Sequence, residues 1–290
     1  MRIGLSTYNR KASGRGRKTL PVGAHSGLVI AVAAQKGGVG KTTSCVSLAA
    51  AWARHFGLRV LVVDLDPQGH VNLALREQVE VGGGALSDVL IEQRGREVGD
   101  IVATTTIEGL FVTPSDPELM TVEDRLASRI GKELTLKKAL ERTRTHYDMV
   151  LLDCPPNIGT LTVNALVASD AVLIPCNPSA LSVAGVEGLL VAAGSVADDL
   201  NDALQVAGVM VTKVDGRTRK MNEVVLGMVD DAFGELVLPQ AIGVCSALAA
   251  AQLEGRDIYA HEPGSRGAEQ YRALAGQILE RLKRRERALA

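Results

Sequence analysis

A glycine-rich segment that directly follows an apolar run constrains the fold of this chain more than any other feature. Residues 28–34 read LVIAVAA, and residues 36–43 read KGGVGKTT. Gly37, Gly38 and Gly40 let backbone N–H groups approach an anion without obstruction by a Cβ atom. The helix predicted from about residue 41 would point its own free N–H groups at the same anion. The segment therefore predicts a buried strand, a phosphate-binding loop and a helix in succession.

Lys41 and Thr42 occupy the lysine and hydroxyl positions of a phosphate-binding loop. A lysine at this point reaches the β- and γ-phosphates of a nucleotide, and the following hydroxyl ligates Mg²⁺. Val39 and Thr43 complete the predicted nucleotide-binding loop, while Gln35 occupies the position where the strict pattern G-x-x-x-x-G-K-[ST] has its first glycine. The alternative is a glycine-rich turn with no ligand. The strand before it, the helix after it and the Gly-Lys-Thr triplet disfavour that alternative.

Apolar runs alternate with helical patterns along most of the chain. Such alternation with short loops predicts an α/β fold, in which a mostly parallel central sheet has helices on both faces. Ligands of such sheets bind at the carboxyl ends of the strands, where the glycine-rich segment, residues 64–66 and Asp153 all fall. The predicted strands span residues 29–34, 59–65, 110–113, 148–153, 171–175, 206–212 and 236–238, and the helical patterns include residues 42–56, 182–199 and 217–233.

Three aspartates at strand ends suggest a site for phosphoryl transfer. This chemistry needs a cation, Mg²⁺ and a residue that orients water more than it needs covalent catalysis. Asp64 and Asp66 follow one apolar run, and Asp153 ends another. The alternative for Asp64 and Asp66 is a turn-forming role ahead of Pro67. Their position after a buried strand makes that the weaker interpretation.

Together these motifs resemble those of the ParA/MinD-type deviant Walker A ATPases, and most closely the ParA/Soj partition branch. Weaker similarity elsewhere extends the resemblance from about residue 28 to about residue 280. His70 departs from the family, which usually has asparagine at that position. The three segments that carry the resemblance are KGGVGKTT at residues 36–43, VVDLDPQG at residues 62–69 and VLLDCPP at residues 150–156.

The resemblance implies ATP as the nucleotide, Mg²⁺ as the metal, and slow hydrolysis of ATP to ADP and phosphate. It gives catalytic roles to Lys41, Lys36 and Asp66. In the family, the lysine that Lys36 resembles crosses a dimer interface to the partner's nucleotide. The aspartate that Asp66 resembles positions the attacking water. The implied metal region consists of Thr42, Asp64 and Asp153. In it, Asp153 holds Mg²⁺ through a water molecule.

For the base side of the nucleotide, the resemblance points to two later segments. Lys213 and Asp215 lie in VTKVDGRT at residues 211–218, where the family contacts adenine. Asp215 is also placed to cap the helix predicted from residue 217. Pro239 lies in the second segment, whose Pro-Gln-Ala differs from the family's usual Pro-Arg-Asn.

Charge placement limits how this chain would contact DNA. Residues 1–27 hold six of the 32 basic residues and none of the 33 acidic ones. We interpret residues 1–27 as a flexible basic arm, which either binds DNA or a partner or only aids solubility, and residues 28–290 as one ATPase domain. With 26 basic against 33 acidic residues the domain is net acidic, so DNA contact needs local patches. The candidate DNA-binding residues are Arg217, Arg219, Lys220, Lys283 and Arg284.

A final helical pattern near the C-terminus places four apolar residues on one face, among many basic residues. A membrane-surface helix is one interpretation, but the segment contains no Phe or Trp. A helix docked on the domain, with a basic outer face available for DNA, is favoured. We find no apolar run as long as a membrane span and no secretory signal pattern, which predicts a cytoplasmic protein. The four apolar residues are Tyr271, Leu274, Ile278 and Leu282.

Most of these features predict an ATP-driven dimer switch. Such a switch binds non-specific DNA and positions a chromosome, plasmid or protein cargo. Its expected partners are a second copy of the chain, DNA and a ParB-like or other protein that stimulates ATP hydrolysis. Its expected place is the cytoplasm, on the nucleoid and without a membrane partner. One alternative is a MinD-like, membrane-cycling regulator of division or polar placement. Another is a metabolic ligase or a reductase of the same fold, which would need a substrate pocket or a metal-cluster cysteine pair, and the four cysteines contain no C-x-x-C pair.

Overall fold

The computed structural model describes residues 27–80, 82–92, 95–217 and 219–289, and it describes the backbone alone for residues 219–222 and 285–289. The predicted basic arm, apart from Gly27, lies outside the described residues. The remainder contains the whole of the predicted ATPase region except a few residues in loops and at the C-terminus.

Seven strands form one sheet in the order β3-β4-β2-β5-β1-β6-β7, and every neighbouring pair is parallel except β3 with β4. The predicted mostly parallel sheet is thereby confirmed. The strands are β1 (Leu28–Val32), β2 (Val60–Asp64), β3 (Ala103–Thr104), β4 (Leu110–Val112), β5 (Met149–Asp153), β6 (Ala171–Cys176) and β7 (Gln205–Val211).

Helices cover both faces of the sheet, as predicted. Helices α3 to α8 bury apolar residues against one face, and α1, α2 and α9 to α11 bury theirs against the other. Four short 3₁₀ turns lie between them in the described residues. The helices are α1 (Lys41–Phe56), α2 (His70–Ala74), α3 (Leu86–Glu92), α4 (Leu119–Leu126), α5 (Thr135–Leu140), α6 (Thr160–Ala168), α7 (Ala180–Asp199), α8 (Arg219–Phe233), α9 (Ser246–Glu254), α10 (Ile258–His261) and α11 (Arg266–Leu289).

The strand predicted at residues 236–238 is wrong. A 3₁₀ turn ends at Leu236, and Val237 forms only an isolated parallel bridge with Val209 of the edge strand β7. Pro239 follows almost at once and has no N–H to donate, so the segment cannot extend a ladder along β7. Two further differences are small: helix α8 begins at Arg219 and not at residue 217, and the two-residue strand β3 was not predicted.

Helix α7 contradicts the expectation that no apolar run reaches the length of a membrane span. By length and composition alone it is long and apolar enough to cross one, with a mean hydropathy of 1.7. However, α7 connects β6 to β7, and its own residues Val186, Leu189 and Ala193 are buried in the core. A helix that covers a parallel sheet needs an apolar inner face, and a third of the most apolar window of α7 is buried in this way.

Gly69 shows why the DPQG segment requires glycine. It precedes α2 in the left-handed conformation, with φ 63°, and a Cβ added there would lie 2.7 Å from the Ser115 Cβ. We expect Gly69→Ala to lower the free energy of unfolding in urea by about 2–4 kcal/mol, from backbone strain and overpacking together. Gly57→Ala is the matched control, because Gly57 has a similar φ of 66° but open space around it. Equal losses in the two variants would contradict the packing part of this account.

Candidate active site

The sheet register brings three loops to one level. Val32 at the end of β1 is paired with Asp153 at the end of β5, and Asp153 is paired with Asp64 at the end of β2. Because these strands are parallel and adjacent, the segments that follow them leave the sheet side by side. The glycine-rich loop therefore leaves the sheet beside Asp153, and Asp64 ends the next strand over at the same edge of the sheet.

The loop after β1 has the backbone that a phosphate-binding loop requires. Gly38 and Gly40 have φ angles of 73° and 90°, which residues with side chains rarely adopt. A Cβ added to Gly38 would meet no atom within 4 Å, so its surroundings leave room for an anion. The Ser44 N–H donates to the Gly40 carbonyl at 2.9 Å and begins α1. The Thr212 hydroxyl, at the end of β7, donates to the Val39 carbonyl at 2.7 Å and fixes the far side of the loop.

Thr42, Lys41 and Asp153 meet at the start of α1. Thr42 Oγ1 donates to Asp153 Oδ2 at 2.7 Å, and Cys45 Sγ lies 3.5 Å from Asp153 Oδ1. Lys41 is only 7% exposed. Burial raises the pKa of Asp153 to about 6, and the Thr42 hydrogen bond and the Lys41 charge oppose that rise. A bound divalent cation would favour the ionised carboxylate in the same way.

These residues fit Mg²⁺. In nucleotide sites the ion usually takes one or two protein oxygens and completes its shell with phosphates and water. The Thr42 hydroxyl and the Asp153 carboxylate supply such oxygens beside the phosphate-binding loop. The cluster is thus suited to Mg²⁺ that arrives with a nucleotide and does not need a cage made of protein ligands alone.

Asp64 has both carboxylate oxygens engaged by backbone. They accept the N–H groups of Asp66 at 3.0 Å and of Val71 at 3.1 Å. Burial, and next the charge of Asp153, raise the pKa of Asp64 well above its usual value. Asp64 therefore shapes the segment between β2 and α2, which is the turn-forming role kept as an alternative. Its predicted contribution to the metal region stays a prediction.

Asp66 lies at the centre of that segment. It is 7% exposed, and its Oδ1 accepts the Gln68 N–H at 3.0 Å. This contact orients the carboxylate and restricts its motion. The predicted role of Asp66 in positioning water stays a prediction.

Lys36 lies apart from the aspartates. Its Nζ donates to Ser179 Oγ at 3.4 Å, and Ser179 is the N-cap residue of α7. The side chain is half-buried. The two lysines of KGGVGKTT thus occupy different places, with Lys41 buried beside Asp153 and Lys36 directed to the start of α7.

The segments predicted to flank the base lie side by side. Val214 N–H donates to the Ile242 carbonyl at 3.1 Å, and Val244 N–H donates to the Val214 carbonyl at 3.0 Å. Lys213, exposed at the end of β7, has an unusual φ of 57° for a residue with a side chain. Pro239 is exposed at the start of the neighbouring segment. A non-glycine residue in the left-handed region is a reason to test Lys213 for a functional role.

The structure describes the side chains of three of the five predicted DNA-binding residues. Arg217 is exposed but forms an ion pair with Asp215, Nη2 to Oδ2, at 2.8 Å, and this arginine lowers the pKa of Asp215 to about 2. Lys283 and Arg284 are exposed near the end of α11, with Arg284 Nη2 3.5 Å from a Glu280 oxygen. The remaining two residues, whose side chains lie outside the described residues, are Arg219 and Lys220.

Fold and site together define a P-loop NTPase of the α/β class. The protein family described as AAA domain (AAA_31) matches residues 27–206. The sporulation initiation inhibitor protein Soj of Bacillus subtilis is 38% identical over 252 residues, which is 87% of this chain and 98% of that protein. The chromosome-partitioning ATPase Soj of Thermus thermophilus is also 38% identical, over 87% of this chain and 96% of that protein. The chain belongs to the ParA/MinD-type deviant Walker A ATPases, on the ParA/Soj side of the family.

Solved structures agree with this assignment. A Mycobacterium smegmatis protein titled cobyrinic acid a,c-diamide synthase, solved with ADP and magnesium, is 33% identical, with a TM-score of 0.73 over 89% of this chain and 96% of that one. An ATP complex of a McdA variant from Cyanothece has a TM-score of 0.79 over 89% of this chain and 98% of that one, and at 22% identity it shows the shared fold. The protein is an ATPase whose cofactors are ATP and Mg²⁺.

Proposed function

We propose that this ATPase is a dimerising switch whose ATP-bound form binds non-specific DNA and positions a chromosome, plasmid or protein cargo. The observation that carries the proposal is the placement of Lys36. Its Nζ contacts Ser179 at the start of α7, whereas Lys41 is buried beside the aspartates of the same subunit. A second, half-buried cation at the start of the loop, separate from Lys41, is suited to a partner's nucleotide, so that two copies would exchange lysines across a two-fold axis.

Binding and hydrolysis divide between different residues in this account. MgATP brings the electrophilic γ-phosphorus and partly neutralises the phosphate charge. The backbone N–H groups of residues 37–43 and the Lys41 ammonium hold the phosphates, and Thr42 with Asp153 holds the metal in place. Asp66, fixed by the Gln68 N–H, orients the attacking water. Slow hydrolysis would then return the dimer to monomers.

The docked C-terminal helix favours DNA over a membrane as the surface on which the switch acts. Tyr271, Leu274, Ile278 and Leu282 are all buried against the domain, so the apolar face that a membrane would need is already covered. Lys283 and Arg284 remain exposed on the outer side. The proposal includes a location in the cytoplasm, on the nucleoid, and a ParB-like or other protein as the stimulator of its ATPase.

A salt-dependent DNA titration tests this proposal. Fluorescence anisotropy with duplexes of unrelated sequence should show binding with a non-hydrolysable ATP analogue and weak binding with ADP. Each phosphate contact should contribute about −0.9 to the slope of log affinity against log salt. Charge reversal of Arg219 and Lys220 should weaken binding to all sequences alike and leave basal ATP hydrolysis intact.

Arg96→Glu is the control for charge reversal, since Arg96 pairs with Asp88 and Glu92 and is not among the candidate DNA-binding residues. It should leave DNA affinity within about twofold of the unmodified protein at fixed salt. Binding that ignores nucleotide and salt would overturn the DNA proposal. Tight, ATP-dependent binding to anionic vesicles without DNA binding would instead favour the membrane-cycling alternative.

A further inference from the structure

Helix α11 reaches the first turn of the P-loop helix. Three consecutive hydroxyl side chains there point to three different elements, because neighbouring residues are about 100° apart on a helix. Thr42 contacts the end of β5. Thr43 Oγ1 accepts a hydrogen bond from Gln252 Nε2 of α9 at 2.8 Å. Ser44 Oγ lies 2.9 Å from the hydroxyl of Tyr271 on α11.

The contact between Ser44 and Tyr271 is buried and connects directly to the phosphate-binding loop. Ser44 is 0% exposed and Tyr271 1% exposed. The backbone N–H of the same serine donates to the carbonyl of Gly40 in the loop. A second attachment lies further along α1, where Trp52 Nε1 donates to the Ala275 carbonyl of α11 at 3.2 Å. Two buried hydrogen bonds thus attach α11 to α1.

The same helix also fixes the segment on the predicted base side. Gln270 Oε1 accepts the Gly243 N–H at 3.0 Å, and Gln277 Oε1 accepts the Gln240 N–H at 3.0 Å. These two glutamines are seven residues apart and thus share a face of α11. The segment that they hold pairs with Val214 after β7. Helix α11 consequently contacts both the loop for the phosphates and the segment predicted for the base.

We propose that α11 senses the nucleotide within a single subunit, with Tyr271, Gln270 and Gln277 as positioning residues. Nucleotide in the site restrains the first turn of α1 through Thr42 and the loop, and the buried hydroxyl pair passes that restraint to α11. A base between the two flanking segments restrains the same helix a second time. The exposed Lys283 lies near the far end of α11. A role for that end in DNA binding rests on the proposed function, whereas the sensing itself rests only on the ATPase site.

Hydrogen–deuterium exchange of residues 274–284 tests the proposal without DNA and without a dimer. MgADP is the probe, because it fills the same loop without the γ-phosphate on which the proposed dimer depends. Saturating MgADP should slow exchange in this segment by about threefold to tenfold, the range expected for one net hydrogen bond. No change in the unmodified protein would overturn the proposal and leave the DNA-binding switch untouched.

Three variants separate sensing from a loss of stability. Tyr271→Phe removes the tyrosine hydroxyl and leaves the Ser44 hydroxyl without that partner. The double variant Ser44→Ala/Tyr271→Phe removes both hydroxyls, so that no buried hydroxyl of this pair is left without a hydrogen bond. Both should bind MgADP at saturation yet lose most of the nucleotide-dependent protection of residues 274–284. Tyr147→Phe is the control, because Tyr147 lies just before β5, at the edge of the sheet opposite the glycine-rich loop. Full protection in either Tyr271 variant, or an equal loss in Tyr147→Phe, would contradict the proposal.

Discussion

Asp66→Ala is expected to bind ATP normally and to turn it over about 10²–10⁴ times more slowly than the unmodified protein. Asp66 is nearly buried, and its carboxylate is oriented by the Gln68 N–H. Its loss removes the group that we assign to the attacking water. The glycine-rich loop, Lys41 and the contact between Thr42 and Asp153 remain, so the phosphates and the metal are still bound. Steady-state phosphate release measures the turnover, and titration with a fluorescent ATP analogue measures the affinity.

Two further variants sharpen that prediction. Asp88→Ala removes an exposed carboxylate on α3 and should hydrolyse ATP at the normal rate. Lys41→Ala removes the buried cation of the loop and should lose nucleotide binding itself, a different defect from that of Asp66→Ala. Hydrolysis by Asp66→Ala at the rate of the unmodified protein would remove Asp66 from the mechanism.

Lys36→Ala is expected to keep the affinity for ATP within about threefold and to weaken the ATP-bound dimer by roughly 10²–10⁴-fold. Each hydrogen bond to a charged group contributes about 1.5–3 kcal/mol. A symmetric dimer would lose two of them, which gives this range of dissociation constants. Analytical ultracentrifugation over a range of protein concentrations, with a non-hydrolysable ATP analogue, gives both dimer constants.

Ser179→Ala is the matched variant for Lys36. Ser179 Oγ accepts the hydrogen bond from Lys36 Nζ within the subunit. Removing that acceptor frees the lysine without touching the loop, so the ATP-bound dimer should form at least as tightly as in the unmodified protein. Dimers of equal strength in Lys36→Ala and the unmodified protein would show that this lysine does not join the subunits.

The core of the site was predictable because its signals are local. The strand, glycine loop and helix of residues 28–56 are encoded by neighbouring residues, and α1 begins at Lys41 as expected. The position of Asp64 and Asp153 at the same edge of the sheet was also predictable, because the carboxyl ends of parallel strands share one edge. The apolar face of the C-terminal helix also predicted its docking, which the burial of Leu274 and Ile278 confirms.

The contacts that connect distant parts of the chain were not predictable from one sequence. Ser44 and Tyr271 are 227 residues apart, and Thr43 and Gln252 are 209 apart, so no periodicity or spacing relates them. The false strand at residues 236–238 has a different cause. Its apolar residues match an edge position beside β7, but Pro239 interrupts the backbone pairing that a strand requires.

The most direct test of the dimer switch is the molar mass of the unmodified protein with each nucleotide, measured by light scattering after size exclusion. With Mg²⁺ and a non-hydrolysable ATP analogue, the account predicts a mass twice that of the 30.6 kDa chain. With MgADP it predicts the mass of one chain, because Lys36 then has no γ-phosphate of a partner to contact. The same mass with both nucleotides, whether of a monomer or of a dimer, would contradict it.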